Sequence, residues 1–247
     1  MEIITSFTNK TVKYIVSLCQ KKRRAADGVF VAEGYKNVLD TVSALPENVV
    51  LVVMSESFAK MHADEFSEFN VSVTTDSVFS KMSETECSQG VLAVMEVLPE
   101  KLPESERCIL LDRVRDPGNV GTILRTAAAC GYDVIVNNCA DIYSPKVTRS
   151  SMSALLKCRI CSNEPPESIK KLGYELIAAD MSGGNLFSMS KPSGKYCIVI
   201  GNEADGVSEE ILGISDRTVA IPMENMESLN AAIAAAVMMF ELRYGIK

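Results

Sequence analysis

The chain has 247 residues, of which 47% are hydrophobic and 23% charged, with 14 Gly and 9 Pro. This globular composition excludes a disordered tail, a collagen and a coiled coil. The formal net charge of −7, from 25 basic and 32 acidic residues, argues against a chain-wide electrostatic grip on nucleic acid, and the longest apolar run, 231–240, is too short to span roughly 30 Å of hydrocarbon.

Length alone suits two modest domains, since a typical domain has roughly 150 residues. Residues 10–26 predict one amphipathic helix, with Val12, Ile15, Val16 and Cys19 at helical spacing and lysines opposite. It should end near Asp27-Gly28. Residues 1–36 carry seven basic side chains against three acidic ones, so the one clear basic patch is N-terminal, either a polyanion site or simply a solvated helix face. A strand is expected within 28–34, then a helix over 35–43, a strand over 49–54, a helix around 56–66, and strands at 70–74 and 90–97. Residues 99–107, polar and bounded by Pro99 and Pro103, have the composition of a linker.

From Cys108 onward strand and helix alternate. Strands are expected at 108–113, 133–137, 175–180, 196–201 and 217–221, and helices at 119–130, 145–156, 166–172, 207–213 and 228–244. Strands as continuously apolar as Ile198-Val199-Ile200 need cover on both faces, which predicts an α/β domain with a mostly parallel sheet between helix layers. Eight cysteines are scattered without the dense spacing of a secreted scaffold, which points to a reduced, cytoplasmic setting. Cys158 and Cys161 form a lone C-x-x-C with no second pair and only His62 as histidine, so no metal site is expected. No secretory signal follows Met1.

Three segments carry candidate chemistry. In 111–125 a strand passes through Asp116-Pro117-Gly118 into a helix, with Asn119 suited to cap it and Arg125 about 240° further round the axis. Taken alone, this segment favours the plainer reading, a capped helix with a surface arginine. In 198–206 an apolar strand ends at Gly201-Asn202-Glu203, where glycine lets backbone approach a ligand at a strand's carboxyl end. The spacing fits neither a dinucleotide fingerprint nor a phosphate loop. In 219–236 a strand ends at Ile221-Pro222-Met223 and Ser228 is a candidate cap for an alanine-rich helix, which either packs in the core or marks a subunit interface.

In this order the three segments resemble the motifs of the SpoU (TrmH-like) branch of the SPOUT RNA 2'-O-ribose methyltransferases. Asn119 and Arg125 match the first motif, Gly201-Asn202-Glu203 the second, and Ile221-Pro222-Met223 with Ser228-Leu229-Asn230 the third. Residues 143–151 also resemble a segment of that family, and the N-terminal stretch, including 30–34 and 88–93, is similar to its L30e-like substrate-binding domain. The domains are then 1–98 (L30e-like, RNA-binding), 99–107 (linker) and 108–247 (methyltransferase).

The resemblance implies a trefoil-knotted C-terminus, a homodimer with the last helix near its interface, and S-adenosyl-L-methionine as cofactor. Ala179, Gly201, Asn202, Ile221, Met223 and Leu229 would contact it. Arg125 would act on the ribose 2'-hydroxyl as general base or, because a guanidinium is a poor proton acceptor, as a charged clamp on phosphate and forming alkoxide. Asn119, Glu203, Ser228 and Asn230 would orient Arg125 or the substrate, and Lys21, Lys22, Arg23 and Arg24 would hold RNA. Ribosomal RNA is favoured over transfer RNA. A transfer-RNA methyltransferase, an inactive RNA-binding module on the same fold, and a dinucleotide-dependent oxidoreductase are the alternatives, the last weakened by the missing glycine fingerprint.

Overall fold

The computed structural model describes residues 2–245. They divide into two units, one formed by 1–99 with 143–153 and the other by 100–142 with 154–247. The segment 143–153 therefore groups with the N-terminal sheet, whereas the sequence reading assigns it to the C-terminal domain. Its anchors are physical. The Tyr143 ring sits 5.2 Å from that of Phe30, Thr148 donates its hydroxyl to the Val31 carbonyl at 3.0 Å, and Arg149 pairs with buried Glu33 at 3.3 Å. The expected linker is not free either, because the Lys101 amide donates to the Ile160 carbonyl at 2.9 Å.

The first unit comprises β1 (Ile3–Ile4), α1 (Lys10–Ser17), α2 (Lys21–Asp27), β2 (Val29–Glu33), α3 (Tyr35–Ala44), β3 (Val49–Ser55), α4 (Glu56–His62), β4 (Val71–Thr74), α5 (Asp76–Met82) and β5 (Val91–Glu96). Its sheet runs β1-β4-β3-β5-β2, with β5 antiparallel to both neighbours. The single helix expected over 10–26 is two helices. Gln20 is extended, and Arg24 turns inward at 4% exposure to donate to the carbonyls of Leu18 (2.6 Å) and Cys19 (2.7 Å), serving groups left unpaired where α1 stops. Arg24 is thus a structural residue rather than an RNA contact. Lys21, Lys22 and Arg23 remain exposed, Arg23 within 2.9 Å of Asp27.

The second unit holds β6 (Arg107–Asp112), α6 (Pro117–Cys130), β7 (Asp133–Asn137), β8 (Ile160–Ser162), α8 (Pro166–Lys171), β9 (Glu175–Asn185), β10 (Tyr196–Ile200), α9 (Glu209–Ile214), β11 (Arg217–Ala220) and α10 (Ala231–Tyr244), while α7 (Pro145–Ser151) belongs to the first unit. All six strands are parallel in the order β11-β9-β10-β6-β7-β8, as the two-faced apolar strands require. Every residue of β10 is buried. After β11 at the sheet's edge, the chain returns to the middle, where α10 packs on α6 and β10. That is the return path a knotted C-terminus requires.

Burial pushes the Cys158 and Cys161 thiols up to about 12, and among the described residues no group of three or more His, Cys, Asp or Glu is placed to hold a metal ion. Among the described residues no helix is long and apolar enough to cross a membrane.

Candidate functional site

Because the sheet is parallel, the chain leaves β6, β9, β10 and β11 at one edge, and these four strands are neighbours. Loops from four distant stretches of sequence therefore meet there, the position where open α/β sheets bind ligands.

The loop after β6 begins with buried Asp112, which accepts the Ser208 amide at 2.8 Å and the Arg113 guanidinium at 3.2 Å. Arg113 adopts φ 59°, a left-handed conformation uncommon outside glycine. The Asn202 side chain donates to the Arg113 carbonyl at 2.8 Å, fastening the β10 loop to the β6 loop. Gly201 has no alternative at its position, since a Cβ there would lie 2.0 Å from the Gly206 carbonyl carbon and 2.1 Å from the Val207 nitrogen. The tight approach comes from the pairing of Asn202 and Gly206, whose amides and carbonyls bond reciprocally at 2.9 and 3.0 Å.

Asp116, rather than Asn119, caps α6. Its carboxylate accepts the Asn119 amide at 2.8 Å, with Pro117 in the first turn. Asn119 instead sits inside that turn, nearly buried, where its amide group donates to Glu203 Oε1 at 2.8 Å while its Oδ1 accepts from Asn230 Nδ2 at 2.9 Å. Glu203 also accepts the amides of Arg115 and Asp116 at 3.3 Å. Burial alone would raise the Glu203 pKa, but the bonds from the Asn119 side chain and from the amides of Glu203, Arg115 and Asp116 outweigh it and hold the carboxyl below its ordinary value. Asn230, rather than Ser228, caps α10, its Oδ1 accepting the amides of Ala232 (2.9 Å) and Ile233 (3.3 Å).

The continuous chain Glu203–Asn119–Asn230 thus joins one residue from each of the three motifs. Ser228 is exposed and makes no hydrogen bond to these three among the described residues. Arg125 is not brought to them either. Six residues further along α6, it lies roughly 9 Å away along the axis and about 120° from the Asn119 face, exposed and without a hydrogen bond or ion pair among the described residues. Asn119, Glu203 and Asn230 bind one another rather than Arg125 of the same chain.

Ala179 sits where the β9–β11 register jumps, from Ala178 opposite Thr218 to Gly184 opposite Val219. The intervening residues bulge outward, with Asp180 accepting the Ser182 amide at 2.8 Å. Ile221 and Met223 are half-buried and Leu229 is 39% exposed in the loop between β11 and α10. Sequence reasoning misses Asp112, Arg113 and Asp116. For Asp116 the signal is visible, because Asp followed by Pro is a helix-start signature.

Residues 106–240 match the SpoU rRNA Methylase family and residues 9–93 the MRM3-like substrate binding domain. The chain is 28% identical to the 23S rRNA (guanosine(2553)-2'-O)-methyltransferase RlmP of Bacillus subtilis, over 98% of this chain and 100% of that protein. The crystal structure of an AdoMet-bound rRNA methyltransferase from Sinorhizobium meliloti is similar with a TM-score of 0.84 at 29% identity, covering 98% of this chain and 97% of that one. The SpoU methyltransferase AviRb from Streptomyces viridochromogenes in complex with AdoMet gives 0.82 at 27% identity, covering 95% and 97%. With its matched domain filling more than half of its length, the chain belongs to the SpoU rRNA methylase family.

Proposed function

We propose that this protein transfers a methyl group from S-adenosyl-L-methionine to a ribose 2'-oxygen of ribosomal RNA. The observation that carries the reading is the Glu203–Asn119–Asn230 chain, which ties the three motifs into one site at the carboxyl edge of the parallel sheet. Similarity to RlmP and to two AdoMet-bound methyltransferases supports the cofactor and the substrate class.

The residues at that edge suit the cofactor. Ile221, Met223 and Leu229 present apolar surface that the fold leaves partly uncovered, Gly201 keeps the β10 loop flat, and backbone groups of Asn202 and Ala179 border the same edge. When bound, S-adenosyl-L-methionine supplies an electrophilic methyl carbon on its sulfonium. Arg125, exposed and without a hydrogen bond or ion pair among the described residues, offers a planar fork of donors that suits clamping a phosphate and stabilising the oxygen as it loses its proton. Lys21, Lys22 and Arg23 offer phosphate contacts on the first unit.

The active form is a homodimer. Along α10, Ile233, Phe240 and Tyr244 are 52%, 50% and 55% exposed and lie within about 20° of one line down the helix. A second copy of this stripe is its fitting cover. The eight cysteines are free, in keeping with a cytoplasmic enzyme.

The reading is tested by mapping ribose methylation in total RNA from cells with and without the protein, alongside titration of the purified chain with S-adenosyl-L-methionine. A single 2'-O-methyl site lost from ribosomal RNA is the expected result. Loss from transfer RNA would move the substrate, and a chain that shows no heat with the cofactor is an RNA-binding module instead.

A further inference from the structure

A cavity of about 270 Å³ opens on the first unit, bounded by the end of β3, the first turns of α4 and α5, and the turn before β5. Drug-sized pockets hold roughly 300–1,000 Å³, so this one suits a single ring system. Phe58 and Phe79 lie beneath its floor, buried at 6% and 1% exposure, and Met61, 73% exposed, supplies its apolar surface. Gly90 keeps the wall in place, because at φ +80° a Cβ would lie 2.7 Å from Ser55 Oγ and 2.9 Å from Phe58 Cβ.

The polar part of the lining has a definite sign. Asp76 takes the Ser57 amide on one carboxylate oxygen (3.2 Å) and the Ser57 hydroxyl on the other (2.6 Å), which orients the exposed carboxylate. The Ser57 and Ser55 hydroxyls hold this carboxyl below its ordinary value. Gln89 accepts the Tyr35 amide on its Oε1 at 2.7 Å, so its NH2 remains a donor. Thr74, the register partner of Ser55, has a fully buried hydroxyl with no hydrogen-bond partner among the described residues, so polar groups at this end of the sheet are not all satisfied from within.

A carboxylate at the mouth repels phosphate and accepts N–H donors. Of the four RNA bases only guanine presents two adjacent donors, N1–H and the 2-amino group, on one edge, and beside them O6 accepts. The exposed Met61 thioether suits one face of an unstacked base. Resting on the reading of the protein as an RNA-binding enzyme, we propose that this cavity captures an unpaired guanine of the substrate RNA, with Asp76 on its N1–H and 2-amino edge and Gln89 on O6.

The test is fluorescence anisotropy of the full chain with labelled heptamers UUUGUUU, UUUIUUU and UUUUUUU, where inosine lacks the 2-amino group. The guanine heptamer should bind about ten-fold tighter than oligo-U, the scale of a good bidentate base contact, with inosine between them. Asp76→Asn should erase the preference. Ser80→Trp, an exposed residue on the cavity wall, should erase it by filling the space with the carboxylate intact, and thermal melts establish that both variants fold. Equal binding of the three heptamers, a preference that survives both variants, or no heptamer binding by a chain that still methylates total RNA would overturn the pocket and leave the enzyme standing. Absence of both RNA binding and methylation would remove the two together.

Discussion

The polar side chains at the ends of the two sheets are committed to different degrees. At the carboxyl edge of the parallel sheet Asp112, Asn202, Glu203, Asn119 and Asn230 are taken up by one another and by backbone groups of neighbouring loops. Around the cavity of the mixed sheet, Asp76 is held by Ser57 and Ser55 and Gln89 by the Tyr35 amide, and both side chains stay exposed. The difference separates groups that build a site from groups that meet a ligand. On the parallel sheet the polar network fixes where loops run, and exposed Arg125 stands outside that network. Substitutions inside the network should therefore move stability and activity together, and substitutions at Arg125 activity alone.

The largest effect should come from Arg125→Ala. Loss of a group that stabilises developing charge typically lowers kcat by about 10²–10³-fold, and because Arg125 is exposed and makes no hydrogen bond or ion pair among the described residues, the melting temperature should stay where it is. Arg125→Lys should recover little, since the planar fork is lost. Methyl transfer to RNA measured beside a thermal melt checks this. A variant that loses stability in proportion to activity would place Arg125 inside the network and dissolve the contrast.

A subtler test uses pH. Glu203 has a folded-state pKa held below the ordinary 4.5 by its hydrogen bonds, so it contributes stability that is present above that value and is lost as pH falls through the lower folded pKa. Denaturant melts between pH 3 and 7 should show that acid limb in the native chain and a flatter one in Glu203→Gln. An unchanged limb would mean that the carboxylate does not bind these loops together. Glu203 is exposed enough for solvent to screen much of the effect, which ranks it below Arg125.

The sequence makes some of this legible. Strand β7 falls where its apolar run predicts, and the three motifs converge because β-strand carboxyl ends share an edge in any parallel sheet. Short elements escape, among them β1, β8 and α5, because two to seven residues carry too little periodicity to separate from noise. Each of the two caps lies two or three residues from its expected position. Asp116 and Asn119 both have capping side chains, and so do Ser228 and Asn230, and the choice between them depends on which side chain a distant loop claims. Glu203 claims Asn119, leaving Asp116 to cap. Arg24 misleads for a similar reason, because a basic run reads as a solvated face until tertiary packing takes one member inward.

Asn230 offers the finest test, because it does two jobs with two atoms. Its Oδ1 caps α10 by accepting from Ala232 and Ile233, and its Nδ2 donates to Asn119. Asn230→Ala removes both and should cost about 0.5–2 kcal/mol, the usual range for a lost N-cap. Asn230→Ser restores an oxygen for the helix but has no amide to reach Asn119, so it should regain most of the stability in urea melts while methyl transfer stays reduced. If serine restored both, the link from α10 to Asn119 would add nothing to the site, and the cap alone would account for the residue. If serine restored neither, the bond to Asn119 would be what holds the start of α10, with the network supporting the helix rather than the reverse.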